Sequence, residues 1–196
     1  MGIAEFFQHL TNGLTLGGIY ALIALGYTMV YGILKFINFA HGDVLMVGSY
    51  AGLFIYNALR GDASLGPWVL IAFFLAMLAS MVISALLGVT IERVAYKPLR
   101  KATRLAPLLS AIGVSFILSN SAAWAFGTNS KKFHYPFDNT PFVFKGVVIT
   151  PHQILILSVS LVMMVILKIF VDRTRMGKAM RATSLDQQTA MLMGIN

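Results

Sequence analysis

"ASLGPWVLIAFFLAMLASMVISALLGVTI", residues 63–91, runs for 29 positions without Asp, Glu, Lys or Arg. A helix of roughly 20 apolar residues crosses about 30 Å of hydrocarbon, so this window predicts a membrane span near 68–90. Three more windows share the property, at 6–34, 105–130 and 146–167. They predict helices near 11–34, 105–127 and 151–171. A fifth run, Val44 to Leu59, has only 16 residues and follows "KFINFAHGD" at 35–43. It can span by borrowing turns from its flank, or as a broken or tilted helix whose irregular backbone is covered by protein. The expected fold is therefore all-α and polytopic, with about five membrane helices, the second short or broken, and a short helix near the C-terminal end.

The composition agrees. Of the residues, 58% are hydrophobic and 11% charged, against roughly 25% charged in soluble domains. The chain has no cysteine, which excludes a disulfide framework, a Cys-based metal cluster and a thiol nucleophile. The net charge of +8 is concentrated in two clusters between apolar runs, unlike the spread basic surface of a nucleic-acid domain. "ERVAYKPLRKATR" (92–104) holds Arg93, Lys97, Arg100, Lys101 and Arg104, and 168–181 holds Lys168, Arg173, Arg175, Lys178 and Arg181. Two spans separate the clusters, so the positive-inside rule puts both in the cytoplasm and the 128–150 loop outside. Counting backwards places the 60–66 turn outside, the 35–43 link inside and the N-terminus outside. If Val44 to Leu59 is re-entrant, the N-terminus moves inside. Glu5 stands where a signal peptide would be basic, and the first apolar stretch is too long for one, so it reads as a retained helix.

Small residues then mark helix contacts. Gly13 with Gly17, Gly48 with Gly52, and the ladder Ala76, Ser80, Ser84 and Gly88 each repeat at four-residue intervals, and such faces let helix backbones approach closely. In "KFINFAHGD", Lys35, Asn38, His41 and Asp43 are polar residues between two apolar segments. Two readings fit: a translocation core or proton path inside the membrane, or a border site where Lys35 snorkels and Asp43 caps the next helix or favours its N-terminus. His9, His134 and His152 are scattered and read as surface or interfacial. In the outer loop, Phe133, Tyr135, Phe137, Phe142 and Phe144 read as headgroup anchors, with Pro136 and Pro141 holding a compact turn.

The tail "SLDQQTAMLMGIN" (184–196) reads as a second, short amphipathic element. Ser184 caps it with Gln187 at the third position, Leu185, Thr189, Leu192 and Met193 share a face, and Gly194 ends it. A helix this short is marginal alone in water, so it needs docking, either on the membrane surface or on a cytosolic partner.

"NGLTLGGIYALIALGYTMVYGILKFINFAHGDVLMVGSYAG" (12–52) and "GKAMRATSLDQQTAMLMGIN" (177–196) together resemble the inner-membrane permease subunit of branched-chain amino-acid ABC transporters. Permeases of related urea and short-amide importers share this pattern. The family's cytoplasmic coupling loop carries Glu-Ala-Ala, three residues and Gly. Here Gln188, Thr189 and Ala190 precede Met191, Leu192, Met193 and Gly194, so the Glu and first Ala are replaced. The resemblance implies a multi-pass protein of the bacterial inner membrane, a second permease subunit, two cytosolic ABC ATPase subunits and an external or periplasmic solute-binding protein. It implies no cofactor, no catalytic or metal residue and no nucleic acid; the chain has no GxxxxGK[ST] phosphate loop of its own. A coupling segment at 172–196 is expected to act through Gly177, Arg181, Leu185, Ala190, Met193 and Gly194, with Asn38, His41 and Asp43 near the pathway. Such permeases ordinarily continue into further membrane helices, so 1–196 is expected to be the N-terminal part of the permease domain. The competing classes are a urea or short-amide permease, a membrane scaffold, and a membrane enzyme, which would need clustered acids, a nucleophile with its base, or metal ligands at one depth.

Overall fold

A computed structural model describes residues 2–61, 66–99, 102–103, 105–136 and 140–195. Arg100, Lys101 and Arg104 of the first basic cluster, and Phe137 of the outer loop, lie outside the described residues. Among the described residues, the elements in order are α1 (Ile3–Leu34), α2 (His41–Arg60), α3 (Pro67–Ile91), a π turn (Glu92–Tyr96) running into a 3₁₀ turn (Lys97–Leu99), and α4 (Leu105–Phe126). A hairpin of β1 (Phe142–Phe144) and β2 (Val147–Ile149) follows, then α5 (Pro151–Arg173), α6 (Arg175–Leu185) and α7 (Gln187–Leu192). Four helices among the described residues are long and apolar enough to cross a membrane: α1, α3 with its continuation, α4 and α5. α2 is the shortest of the five long helices and is continuous over 20 residues, about 30 Å at 1.5 Å per residue. It gains its extra turn from the flank, because the Asn38 Oδ1 accepts from the Ala40 N–H (3.1 Å) and starts the helix at His41. No break is needed.

The helix ends follow local rules. Pro67 and Pro151 occupy first turns, where a missing N–H costs nothing. The Glu5 carboxylate accepts from the Gly2 N–H (2.9 Å) at the positive end of α1. Lys35 closes α1 in the left-handed region (φ 58°), its N–H on the Tyr31 carbonyl.

The chain forms two compact units, residues 36–138 and residues 1–35 with 139–196. In the first, α2 lies against α3. Gly48 and Gly52 face Ser80 and Ser84, and the Ser80 hydroxyl donates to the Gly48 carbonyl at 2.6 Å. Tyr56 is enclosed by Val69, Ala72 and Ala76. Ile91, Tyr96 and Ala111 form a second small core between the π turn and α4. Most other large apolar side chains are on the outside: Trp124 is 91% and Phe116 66% exposed. Small residues inside and large apolar ones outside is the reverse of a water-soluble fold, and it fits helices solvated by lipid.

In the second unit, α1 packs along α5, where a Cβ on Gly18 would stand 3.3 Å from Ser160. A Cβ on Gly13, Gly17 or, in the other unit, Gly88 would meet nothing within 4 Å. Those three glycines of the expected packing faces line open space. The hairpin sits on the head of α1: the Gln8 amide accepts from the Val148 N–H (2.7 Å) and donates to its carbonyl (3.0 Å). At the other end, α6 lies beside the last turns of α1, with Met29 and Ile33 across a small groove from Met180 and Ser184. The hairpin and the start of α1 thus share one end, and α6 takes the opposite end.

In the outer loop Tyr135, Phe142 and Phe144 are exposed, and Phe133 is the described aromatic that departs from the expected anchors. The Phe133 ring is stacked on Tyr56 (centroids 5.0 Å apart) and meets Phe73 edge-on, so it packs inward. The reversal is made by Lys145 and Gly146, both at positive φ (48° and 82°), the backbone a two-residue hairpin requires.

Candidate functional site

Two polar groupings stand out in this apolar chain, one in each unit. In the 36–138 unit, Asn38 is the pivot of the link before α2. Its Oδ1 accepts from the Ala40 N–H and also from the Tyr96 hydroxyl at 2.6 Å. Tyr96, at the end of the π turn, is buried and edge-on to Phe36 (5.4 Å). The neighbouring Ala95 carbonyl accepts from the Ser110 hydroxyl of α4 (3.1 Å). In the first turn of α2, the Asp43 carboxylate accepts from Ser115 (2.5 Å) and Ser119 (2.6 Å). These serines are four apart on α4, so they share a face and present two hydroxyls to one carboxylate.

Asp43 therefore does not cap α2. Its oxygens are turned across to α4, and Asn38 closes the entry turn instead. His41 opens α2 and is half-buried. Tyr96, Ser115 and Ser119 were not singled out from sequence. The i, i+4 serines in an apolar helix were the available signal, but nothing local connects them to an acid more than 70 residues away.

The second grouping is the corner between α5, α6 and α7. Thr174 caps α6: its hydroxyl accepts from the Gly177 N–H (3.0 Å) and donates to the Phe170 carbonyl (2.6 Å). Gly177 is buried against the last turn of α5, where a Cβ would collide with the Val171 and Phe170 carbonyls. Arg181 ties the corner together, its guanidinium donating to the Val171 carbonyl (2.8 Å) and to the Asp172 carboxylate (3.2 Å). Ala190 is buried, whereas Leu185 (88%), Leu192 (87%) and Met193 (80%) are exposed. Gly194 ends the segment at φ +83°.

The cap of α7 differs from the expected one. Ser184 belongs to α6 and donates to the Arg181 carbonyl (2.7 Å). Asp186 caps α7, accepting from the N–H groups of Gln188 (2.9 Å) and Thr189 (3.2 Å) and from the Thr189 hydroxyl (2.5 Å). A carboxylate competes better than a hydroxyl for such donors, and it splits the tail into two helices. These bonds, the Thr189 hydroxyl first, hold the Asp186 carboxyl below its ordinary value of 3.8. Because the folded value is the lower one, the cap's contribution is full above 3.8 and fades as pH falls through the lowered value. The amide resonances of Gln188 and Thr189 should therefore stay put from pH 7 to 5 and shift toward unfolded positions only in stronger acid. Asp186→Asn should weaken that acid transition.

Among the described residues, no group of three or more His, Asp or Glu is placed to hold a metal ion. Long apolar helices with lipid-facing side chains, small-residue seams and a capped polar corner define a multi-pass helical membrane protein. Residues 9–196 match the family described as branched-chain amino acid transport system / permease component, and the chain belongs to that family. It is 44% identical over 201 residues to the high-affinity branched-chain amino acid transport system permease protein BraD of Pseudomonas aeruginosa, covering 99% of this chain and 64% of that protein. To LivH of Escherichia coli K12, similarly described, it is 42% identical over 195 residues, covering 97% and 63%. It is 26% identical to a probable branched-chain amino acid transport permease protein LivH of Methanocaldococcus jannaschii, covering 95% and 58%. The chain thus spans about 63–64% of the length of BraD and LivH of Escherichia coli. No solved structure matches it significantly.

Proposed function

We propose that the chain is a membrane permease subunit of an ATP-driven importer in the bacterial inner membrane, moving branched-chain or other neutral amino acids. It works beside a second permease subunit, two cytosolic ABC ATPase subunits that hydrolyse the ATP, and an external solute-binding protein. The 172–196 segment is the coupling element, on the cytoplasmic side with its basic residues. ATPase closure pushes on α7, and the Arg181 and Gly177 corner passes the displacement to α5 as a stiff lever.

The observation that carries this reading is the exposed apolar surface of Leu185, which ends α6, and of Leu192 and Met193, which end the short helix α7 behind buried Ala190. A marginal helix with that surface needs a docking partner. The likeness to BraD and LivH, permease proteins of branched-chain amino acid transport systems, supports the substrate class. Uptake by the assembled complex in proteoliposomes, competed by leucine and valine but not by urea, is the expected result; uptake of urea alone overturns the substrate assignment. Changing Leu185→Glu with Met193→Glu should release the ATPase from the purified complex and lower uptake more than tenfold, since each removes about 1.5–3 kcal/mol of burial. Full ATPase retention in that double variant would reject the docking face.

A further inference from the structure

Within the 36–138 unit, an open pocket of about 400 Å³ lies between the middle of α2 and the segment that follows α4. One wall is apolar, made by Met46, Leu53 and the rings of Tyr50 and Phe133. These rings are already fixed: Tyr50 is stacked on Phe126 (4.7 Å) and Phe133 on Tyr56 (5.0 Å). The polar lining is Ser49, on the same face of α2, and Thr128, Asn129, Ser130 and Lys131 of the segment after α4. The Ser49 hydroxyl spends its proton on the Leu45 carbonyl (2.9 Å), which leaves its oxygen as an acceptor. Among the described residues, the lining has one cation and no acid.

A preformed apolar wall facing a few polar groups is the usual form of a small-molecule site, and its size is within the common range of about 300–1,000 Å³. The charge pattern restricts the ligand. A lone ammonium calls for a carboxylate, hydroxyl oxygens can accept from a ligand ammonium, and the wall calls for an aliphatic body. Urea and short amides carry neither the charge nor the body.

We propose that this pocket binds aliphatic α-amino acids, with the carboxylate on Lys131, the ammonium on the Ser49 and Thr128 oxygens, and the side chain against Leu53 and Phe133. The proposal deepens the importer reading and rests on it. The test is direct titration of L-leucine, and of leucinamide, which lacks the carboxylate, into the full chain in lipid nanodiscs. The reporter is the ¹³C-methyl signal of Met46. With no soluble binding protein present, the affinity belongs to the chain itself.

Leucine should shift the Met46 signal saturably and leucinamide should bind about tenfold more weakly, the worth of one charge-assisted contact. Lys131→Gln should weaken leucine by the same factor and leave leucinamide unchanged, while Lys131→Arg restores leucine. Equal binding of leucine and leucinamide, an unaltered leucine affinity in Lys131→Gln, or no saturable shift overturns the site. A leucine affinity that follows the anionic-lipid content of the nanodisc assigns Lys131 to a headgroup and also overturns it. Failure of the importer reading is separate: it appears as absence of leucine uptake by the assembled wild-type complex.

Discussion

Replacing Gly177 with alanine is expected to reduce ATP-driven uptake by more than tenfold while the chain still reaches the membrane. The added methyl has no room, because its nearest neighbours are the carbonyl oxygens of Val171 and Phe170 and the Val171 carbonyl carbon. These are backbone atoms of the last turn of α5, so no rotamer change relieves the collision. α6 has to move away instead, at a cost of about 1–3 kcal/mol. The movement pulls on the Gly177 N–H bond to Thr174 and on the Arg181 bonds to Val171 and Asp172. A lever whose corner is loosened moves its own tip without moving α5. Gly88→Ala supplies the contrast, since its Cβ would meet nothing and wild-type uptake is expected. Membrane level by immunoblot, ATPase co-purification and uptake rate together check the prediction; normal uptake in Gly177→Ala would show that the corner carries no displacement.

The contrast between these two glycines also marks what was legible in the sequence. Gly88 ends a ladder of small residues whereas Gly177 stands between Met176 and Lys178, yet it is Gly177 that touches backbone and Gly88 that faces open space. The four charge-free windows gave helices within a few residues of their observed ends, apart from α1, which begins well upstream at Ile3. Length and hydropathy decide membrane helices before tertiary contacts act. The faces of the α2–α3 seam were readable for the same reason, but their pairing was not. That Gly48 and Gly52 meet Ser80 and Ser84, while Gly13 and Gly17 meet nothing, depends on helix rotation. Local competition defeated the cap, because Ser184 and Asp186 are two residues apart and both are good N-caps. The hairpin was hidden by its brevity: "FVFKGVVI" alternates poorly and its lysine takes the positive φ usually left to Asn or Gly. In the candidate site, Asn38 and Asp43 stood out by polarity alone, whereas their partners are remote in the chain.

That remoteness makes the Asp43 grouping the most demanding test of the fold. Changing Ser115→Ala together with Ser119→Ala is expected to destabilise the chain more than Asp43→Ala does. With both hydroxyls gone, the Asp43 carboxyl is left facing an apolar helix and loses two hydrogen bonds, and a single bond to a charged group is worth about 1.5–3 kcal/mol. With Asp43 gone, the serines still have somewhere to turn: Ser119 already donates to the Ser115 carbonyl one turn back (2.9 Å), and Ser115 can do the same within α4. The asymmetry implies a particular coupling. Removing all three groups should be less harmful than removing the two serines, because no unsatisfied carboxyl remains. An apparent Tm lowered by about 6–12 °C in the double serine variant, and partly regained in the triple variant, is the expected pattern in detergent-solubilised chain. If the double variant melts no lower than Asp43→Ala, the carboxylate draws its stabilisation from somewhere other than α4. The Asn38 end of the link would still be held by the Tyr96 hydroxyl.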